Sequence, residues 1–537
     1  MVDSMQEKIA SAMREPGFYP HGAENVQEVQ THISRVFLAG DFVYKIKKSV
    51  NLGFLDFTSL EKRRECCENE LRLNARLAPD VYLEVVPITV GPKGFVLGGA
   101  GEAVEYAVKM KRLDDGFSME SLLAKNAVST RMVTELAQKL AAFHTAAATG
   151  PEVDVFGSWD VISRNCEENF VQTGACIKEL VDERAFQIIC AATRTFLSRR
   201  RDLFESRVKT GRIRDCHGDL KTEHVYFLPQ GVAVIDCIEF NERFRYGDVT
   251  SDMAFLAMEC DHEGFTWVSQ KLMEDYARFS GDHDVFALMD FYKCYRALVR
   301  AKVKCLRLAG GGVSRNERRA VIQEIAAYSR LAYRYAVQFS RPALFVVCGM
   351  IASGKSTVAQ ALGKSLGIRV FQSDAVRKEL FHKNRQGSTV ADFEKGMYAP
   401  AATSLVYGRL LLLAQEELSR GLPVVLDATY ASRHERGEAM RLARDMDADI
   451  VFVECVCSEE KIRERLAKRE TTPGLSDARL EHLAPIRQRF EPLDEIAPMM
   501  HVRVSTDTTI DQAMDQVLAQ DYALLSLQAL DVLKSRG

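Results

Sequence analysis

Residues 349–356 have the types and the spacing that bind the phosphates of a nucleotide. The sequence Gly-Met-Ile-Ala-Ser-Gly-Lys-Ser matches the pattern G-x-x-x-x-G-K-[ST] at every fixed position. Glycines let backbone N–H groups surround phosphate oxygens, Lys355 can reach the β and γ phosphates, and the Ser356 hydroxyl can bind Mg²⁺. We therefore predict a site for ATP and Mg²⁺, with phosphate-binding residues Gly349, Ala352, Ser353, Gly354, Lys355, Ser356 and Thr357.

Residues after this loop would complete a site for phosphoryl transfer. Asp374 can take the proton of an acceptor hydroxyl, and Arg377 lies one helical turn later on the same side. A helix N-cap is the alternative role for Asp374. Asp427 ends an apolar run and can hold a Mg²⁺-bound water. Residues 462–469 form a basic helix before Thr-Thr-Pro-Gly, which is a predicted lid, and one of its arginines, with Arg469 preferred, would neutralise the transferred phosphoryl group. A solvated surface position is the alternative for each of these arginines.

A second set of candidate residues lies in the N-terminal half. Residues 216–224 have the sequence Cys-His-Gly-Asp-Leu-Lys-Thr-Glu-His, and an apolar run at 232–235 leads to Asp236. A His-Gly-Asp loop before a β-hairpin, with a further Asp at the end of that hairpin, can supply a base and a metal-binding carboxylate to one ATP site.

The elements that position these residues divide the chain into two domains. Residues 28–77 mix short β-like runs with one long helix, and helical patterns dominate from 118 to about 339. From 343 onward apolar strand-like runs alternate with helical segments, which predicts a doubly wound parallel sheet. We predict an α+β domain at 1–340, with a small sheet lobe and a helical lobe, and an α/β P-loop NTPase domain at 341–537.

Composition restricts the partners and the compartment. The 537 residues are 47% hydrophobic and 27% charged, with a formal net charge of −3 and a pI near 6.5. This balance gives no global attraction for nucleic acid or an anionic membrane, although it leaves a local basic cleft open. The N-terminus has no basic region followed by an apolar core, and the chain has no uninterrupted apolar run of about 18 residues. We expect a cytoplasmic protein without a membrane partner.

The C-terminal motifs resemble a family of P-loop kinases that includes the kinase half of polynucleotide kinases, gluconate kinases, chloramphenicol phosphotransferase and zeta toxins. The resemblance covers about residues 342–506. It implies that Asp374 is the base that activates the acceptor. The D-x-x-R spacing of Asp374 and Arg377 looks like the polynucleotide kinase version.

The N-terminal motifs resemble the catalytic loop and metal-binding Asp of aminoglycoside phosphotransferases and related kinase-like enzymes. The resemblance implies a protein-kinase-like fold, with Asp219 as the acceptor base and Asp236 as the principal Mg²⁺ ligand. It also implies a lysine on the α and β phosphates, either Lys45 or Lys47, and a helical glutamate, either Glu70 or Glu68, that orients this lysine. Lys45 and Glu70 are preferred, and Asp252 would steady the backbone of the catalytic loop.

Two departures from that family bear on activity. His224 stands where the family has a metal-binding Asn, and imidazole is a poorer Mg²⁺ ligand than an oxygen donor. No G-x-G-x-x-G covers the phosphates, so the turn at 31–35 would take its place. Phosphoryl transfer, nucleotide binding without transfer, and a purely structural role all remain open for this domain.

Over nearly its whole length the chain resembles bacterial proteins described as bifunctional aminoglycoside phosphotransferase and ATP-binding proteins. We predict an ATP- and Mg²⁺-dependent phosphotransferase that acts on a hydroxyl of a small molecule or nucleotide. The sequence does not show the acidic pocket that a polycationic aminoglycoside needs. The alternatives are an ATP-hydrolysing regulatory protein with a degenerate kinase-like domain, and a nucleic-acid end kinase.

Overall fold

The computed structural model describes residues 2–53, 55–92, 94–180, 183–309, 314–366, 368–382, 399–471, 479–518 and 520, with only the backbone at 2–4, 175–180, 382 and 469–471. The described chain forms two compact units. One contains Met1–Asn165 and Phe204–Ser280, and the other contains Cys166–Leu203 and Gly281–Gly537.

The N-terminal part of the first unit is an antiparallel sheet with the strand order β1-β2-β3-β6-β4-β5. Its elements are α1 (Val2–Met13), β1 (Val26–Gln30), β2 (Ser34–Ala39), β3 (Phe42–Lys47), α2 (Leu60–Asn74), β4 (Tyr82–Gly91), β5 (Gly94–Leu97) and β6 (Ala103–Lys111). Helix α2 begins at the N-cap Ser59, whose side chain accepts a hydrogen bond from the Lys62 N–H. Its buried stripe includes Cys66, Cys67 and Glu70, so a carboxylate faces the sheet.

The middle of the chain is mainly helical. It contains α3 (Met119–Ala124), α4 (Thr130–Ala146), α5 (Pro151–Asp154), α6 (Trp159–Leu180), α7 (Glu183–Arg199), α8 (Arg201–Lys209), β7 (Ile213–Asp215), β8 (Val225–Leu228), β9 (Gly231–Val234), α9 (Glu242–Arg245), β10 (Tyr246–Asp248), α10 (Val249–His262), α11 (Thr266–Ser280), α12 (Val285–Ala309) and α13 (Arg315–Ser340). Strands β8 and β9 form an antiparallel hairpin, and β7 pairs with β10. The hairpin separates the His-Gly-Asp loop from Asp236.

The C-terminal part of the second unit is a parallel five-stranded sheet with the order β12-β13-β11-β14-β15. Its elements are β11 (Ala343–Cys348), α14 (Lys355–Leu366), β12 (Arg369–Gln372), α15 (Ser373–His382), α16 (Pro400–Ser419), β13 (Val424–Asp427), α17 (Arg433–Asp445), β14 (Asp449–Val456), α18 (Glu459–Thr471), α19 (Leu483–Arg489) and β15 (His501–Ser505). Every residue of β11 is buried, because helices cover both faces of the sheet. The predicted doubly wound sheet is confirmed.

The two compact units do not coincide with the predicted domains at 1–340 and 341–537. That domain boundary stays a prediction. Helices α7, α12 and α13 precede that boundary but belong to the second compact unit. Phe286, next to the start of α12, packs against the core cluster that contains Phe345 of β11. Arg199 at the end of α7 donates to the Gly421 carbonyl at 3.1 Å. These contacts attach helices of the N-terminal half to the C-terminal sheet.

Candidate functional sites

The loop between β11 and α14 has the backbone conformation of a phosphate cradle. Gly349, Ala352 and Gly354 have positive φ angles of 129°, 56° and 89°. A Cβ on Gly349 would lie 2.4 Å from the carbonyl oxygen of Cys455, so only glycine fits there. Helix α14 begins at Lys355 directly after the loop, which places a helix N-terminus at the predicted phosphate position.

Lys355, Ser356 and Asp427 meet beside this loop. Asp427 pairs in register with Val347 of β11, and its carboxylate is hydrogen-bonded by Ser356 and by Gln372 Nε2 at 3.1 Å. Burial raises the pKa of Asp427, and these donors act against the increase. Burial lowers the pKa of Lys355, although the negative charge of Asp427 opposes the shift. The Nζ atom of Lys355 donates to the Met350 carbonyl at 2.6 Å. Oxygen donors from Ser356 and Asp427 fit a Mg²⁺ ion.

Asp374 lies in the first turn of α15, where β12 ends. Gln372, two residues earlier, pairs in register with Asp427, and the negative charge of Asp374 raises the pKa of both Lys355 and Asp427, so Asp374 lies on the same side of the sheet edge as these groups. Arg377 is buried, and its positive charge acts on Tyr407 of α16. The structure therefore brings Asp374 to the phosphate loop and places Arg377 near a tyrosine of the neighbouring helix.

Among the residues that the structure describes, Arg465 of α18 contacts the phosphate loop. Its Nη1 donates to the Ala352 carbonyl at 3.1 Å, and its Nη2 donates to the Thr506 carbonyl at 2.7 Å. The Thr506 hydroxyl in turn donates to the Ser353 carbonyl at 2.6 Å. The side chain of Arg469 and residues 472–478 of the predicted lid lie outside the described residues. The sequence could not single out Arg465 among the arginines of this helix, because a helix rich in basic residues does not show which cation points inward.

In the first unit, Lys45 of β3 joins two carboxylates. Its Nζ lies 2.8 Å from Glu70 Oε1 of α2 and 2.7 Å from Asp236 Oδ1 after β9. Lys47 is fully buried and pairs with Glu70 Oε2 at 2.6 Å and with Glu239. Both lysines therefore share Glu70, and strand parity alone could not separate them. The structure places Lys45, and not Lys47, against Asp236.

The alternative glutamate, Glu68, lies at the surface. Its Oε1 is 2.8 Å from Arg64 Nε one helical turn away, and about half of each side chain is exposed. Glu239 was not predicted from the sequence. A lysine on a buried face requires a carboxylate partner, but that requirement does not identify which acid along the chain supplies it.

The charges of Lys45 and Asp236 stabilise each other. Burial lowers the pKa of Lys45, but Asp236 and Glu70 raise it more, and the result lies well above the usual value. Burial raises the pKa of Asp236, but Lys45 and His224 bring it far below its usual range. Asp236 has a φ of 63°, and its N–H donates to the Tyr82 hydroxyl at 3.1 Å. Both groups are therefore charged in the absence of nucleotide.

Asp252 of α10 holds the backbone of the His-Gly-Asp loop, as the resemblance implied. Its two carboxylate oxygens accept from the N–H groups of His217 and Gly218, each at 2.8 Å. His217 Nε2 donates to the Ile235 carbonyl at 2.9 Å, and its Nδ1 accepts from the Asp219 N–H at 3.3 Å. Burial lowers the pKa of His217 to about 4, so the ring is neutral near pH 7. These bonds fix the position of Asp219.

Asp219, His224 and Asp236 form one cluster, in which the ligand atoms offered by the three side chains lie within 4.8 Å of one another. His224 Nε2 is 3.6 Å from Asp236 Oδ2, and Lys221 Nζ is 3.1 Å from Asp219 Oδ2. Burial raises the pKa of Asp219, but Lys221 and His224 lower it more. A carboxylate base next to a metal-binding carboxylate is the arrangement predicted for this site. The imidazole makes the set a poor match to Mg²⁺.

Comparison with known proteins finds one family for each of the two parts of the chain that carry a candidate site. The model of the phosphotransferase enzyme family matches residues 64–292, and the model of an AAA domain matches residues 344–493. An uncharacterized protein of Mycobacterium tuberculosis is 32% identical over 460 residues, which cover 86% of this chain and 89% of the relative. The chain belongs to the same family as this protein. An uncharacterized protein of Mycobacterium bovis matches with the same identity and coverage.

Solved structures of kinases align with each part of this family member. A choline/ethanolamine kinase family protein from Mesorhizobium loti is 16% identical with a TM-score of 0.37, covering 61% of this chain and 99% of its own. The APS kinase of Mycobacterium tuberculosis is 21% identical with a TM-score of 0.26, covering 34% of this chain and 97% of its own.

The family matches and the described fold confirm the predicted two-domain arrangement, a kinase-like phosphotransferase domain followed by a P-loop kinase-like domain with a parallel sheet. Transferase, kinase and ATP-binding are the functional classes that these domains support. In the part of the chain that the structure describes, every helix is too short or too polar to cross a membrane.

Proposed function

We propose that this protein is an ATP- and Mg²⁺-dependent phosphotransferase that transfers the γ-phosphoryl group to a hydroxyl of a small molecule or nucleotide. The observation that supports this function best is the convergence of Lys355, Asp427 and Asp374 beside the loop after β11. A phosphate-binding cation, a metal-binding carboxylate and a candidate base are the three groups that the reaction needs.

The chemistry at this site follows from the placement of these groups. The acceptor oxygen attacks the γ-phosphorus, the bond from that phosphorus to the β,γ-bridging oxygen breaks, and ADP leaves. The proton of the acceptor hydroxyl passes to the Asp374 carboxylate. Lys355 contacts the β and γ phosphates, while Ser356 and Asp427 would hold Mg²⁺. Bound Mg²⁺ supplies positive charge that neutralises the phosphate oxygens.

The first compact unit, Met1–Asn165 with Phe204–Ser280, is called the kinase-like unit below, and it supplies a second nucleotide site in this proposal. Lys45 is already paired with Asp236 and Glu70, so it is positioned to meet the α and β phosphates. Asp219 is held by the loop that Asp252 anchors, which suits a base. The histidine at position 224 favours the second candidate function, in which this unit binds ATP and regulates the chain without an external acceptor.

A search for labelled product tests the proposal. The protein would be incubated with γ-¹⁸O-labelled ATP, Mg²⁺ and an extract of metabolites and oligonucleotides, and labelled phosphate would be traced by mass spectrometry. The variants are Lys355→Ala, Asp374→Asn and Asp219→Ala, with the exposed Asp445→Asn as a matched control.

A labelled product that disappears in Lys355→Ala and Asp374→Asn, and persists in Asp219→Ala and the control, supports transfer at the P-loop site. Loss only in Asp219→Ala assigns transfer to the kinase-like unit instead. Labelled free phosphate without a labelled product contradicts phosphotransfer and favours the regulatory function. A labelled oligonucleotide would identify a nucleic-acid end kinase.

A further inference from the structure

His224 has one ring nitrogen fixed by the backbone. Its Nδ1 lies 2.8 Å from the carbonyl oxygen of Asp219. A carbonyl oxygen only accepts hydrogen bonds, so Nδ1 carries the hydrogen and donates it. In the neutral ring the lone pair is then on Nε2, which is the nitrogen that a metal ion can use.

The Nε2 atom faces carboxylates at a distance suited to a shared cation. It lies 3.6 Å from Asp236 Oδ2 and 3.8 Å from Glu223 Oε1. The separation from Asp236 is longer than an ordinary hydrogen bond. Two ligands bound to one cation at about 2.1 Å lie roughly 3.0 to 3.6 Å apart for angles between 90° and 120°. The spacing of Nε2 and Oδ2 therefore matches two ligands of one metal ion.

The two oxygens of Asp236 have separate roles in this arrangement. Oδ1 pairs with Lys45 at 2.7 Å, and Oδ2 is the oxygen that faces His224. A cation on Oδ2 would thus leave the contact with the phosphate-binding lysine intact. The Asp219 carboxylate lies on the other side of the ring, with Oδ2 at 3.8 Å from His224 Nδ1, and belongs to the same cluster of three candidate ligand residues.

We infer that the kinase-like unit binds a divalent cation with affinity for nitrogen, of the Mn²⁺ type, in preference to Mg²⁺. Mg²⁺ favours six oxygen ligands, whereas first-row transition-metal ions bind imidazole more readily, and Mn²⁺ is the one among them that also suits carboxylate oxygens. The inference rests on the proposed nucleotide site of this unit. It gives the two units different metals, because the P-loop site offers only oxygen atoms from Ser356 and Asp427.

Pulsed electron paramagnetic resonance of Mn²⁺ tests this inference on the full chain. Protein labelled with ¹⁵N-histidine and unlabelled protein would each be given Mn²⁺, with and without a non-hydrolysable ATP analogue. Imidazole coordination produces a nitrogen hyperfine coupling that changes with the isotope. The oxygen ligands of the P-loop site produce none, and a variant of His224 separates its coupling from that of any other histidine, such as His144 in the cluster with Cys216 and Asp252.

The variant is His224→Asn, and the exposed His434→Asn is the matched control. We expect the coupling in the wild type and in the control, and its loss in His224→Asn. We also expect the ratio of Mn²⁺ to Mg²⁺ affinity at this site to fall at least about 10-fold in His224→Asn.

Two results would overturn the inference. The first is a wild type that binds Mn²⁺ without any histidine coupling, because the imidazole would then not be a ligand of the ion. The second is an unchanged Mn²⁺ to Mg²⁺ ratio in His224→Asn. Failure of the proposed function is seen separately, since the coupling needs no phosphoryl transfer and the labelled-product search needs no Mn²⁺.

Discussion

Lys45 Nζ and Asp236 Oδ1 lie 2.7 Å apart, although 191 positions separate them in the chain. The pair joins β3 to the end of the β8–β9 hairpin, and Glu70 holds the lysine from α2. An ammonium group held by two carboxylates has few conformations left to lose when nucleotide binds. The kinase-like site is therefore assembled before nucleotide binds. The neighbouring Lys47 is fully buried and pairs with Glu70 and Glu239.

Substitution of the two lysines separates binding from stability. Lys45→Met should weaken nucleotide binding by the kinase-like unit and lower stability less than Lys47→Met, because Lys47 still neutralises Glu70 and the Asp236 side chain is 44% exposed to water. Lys47→Met should lower the free energy of unfolding by about 3–5 kcal/mol, because Glu239 is left as a buried carboxylate without its partner. Calorimetric titration with an ATP analogue and urea unfolding measure the two effects. Equal stability losses in both variants would contradict the separate roles.

His217 gives the kinase-like unit a defined response to acid. Burial lowers its pKa from 6.5 to about 4, so the neutral ring stabilises the fold above pH 6.5 and that contribution is lost as the pH falls through 4. The contribution is up to about 3 kcal/mol, since each unit of pKa difference corresponds to about 1.4 kcal/mol.

Urea unfolding between pH 7 and pH 4 measures this response. His217→Gln should lose less stability over this range than the wild type, because glutamine does not titrate. The exposed His434→Gln is the control and should follow the wild-type curve. Parallel curves for the wild type and His217→Gln would show that this ring does not carry the acid response.

The sequence was sufficient to predict elements whose signals are local. A run of six apolar residues, a glycine-rich loop and a helical pattern predicted β11, the phosphate loop and α14 in order. The parallel sheet followed, because alternation of strand and helix has few topological solutions. The hairpin between Asp219 and Asp236 was also predictable, because its two strands and its turn are adjacent in the chain.

Gly349→Ala should abolish nucleotide binding at the P-loop site. The glycine has a φ of 129°, and an added Cβ would lie 2.4 Å from the Cys455 carbonyl oxygen, so the loop must move. Gly408→Ala in α16 is the matched control, because no atom lies within 4 Å of the added Cβ. The control should stabilise the protein by about 0.4–1 kcal/mol. Calorimetric titration that still shows both nucleotide sites in Gly349→Ala would exclude this loop from phosphate binding.

Arg465→Ala should weaken nucleotide binding by loosening the phosphate loop. The guanidinium donates hydrogen bonds to the carbonyls of Ala352 and Thr506, and an alanine side chain has no donor to replace them. Arg463→Ala is the matched control on the same helix, since Arg463 pairs with Glu459 at the surface and such pairs contribute little. Fluorescence titration with a nucleotide analogue compares the two. An equal loss of nucleotide affinity in both variants would show that the positive charge of the helix, and not the contact of Arg465 with the loop, is responsible.

Long-range contacts explain what the sequence did not predict. Arg465 meets Ala352 across 113 positions, and Lys47 meets Glu239 across 192, so no local pattern connects either pair. The packing of α7, α12 and α13 with the C-terminal sheet is equally non-local. His224 was recognised as a departure, but the direction of its ring depends on the bond to the Asp219 carbonyl.

In our proposal the chain carries two nucleotide sites of different design, one built on Lys355 and one on Lys45. Isothermal titration calorimetry with a non-hydrolysable ATP analogue, with Mg²⁺ and Mn²⁺ both present, counts these sites. We predict two sites in the wild type, one in Lys355→Ala, one in Lys45→Met and none in the double variant. A single site that is lost in Lys355→Ala and unaffected by Lys45→Met would show that the kinase-like unit does not bind nucleotide.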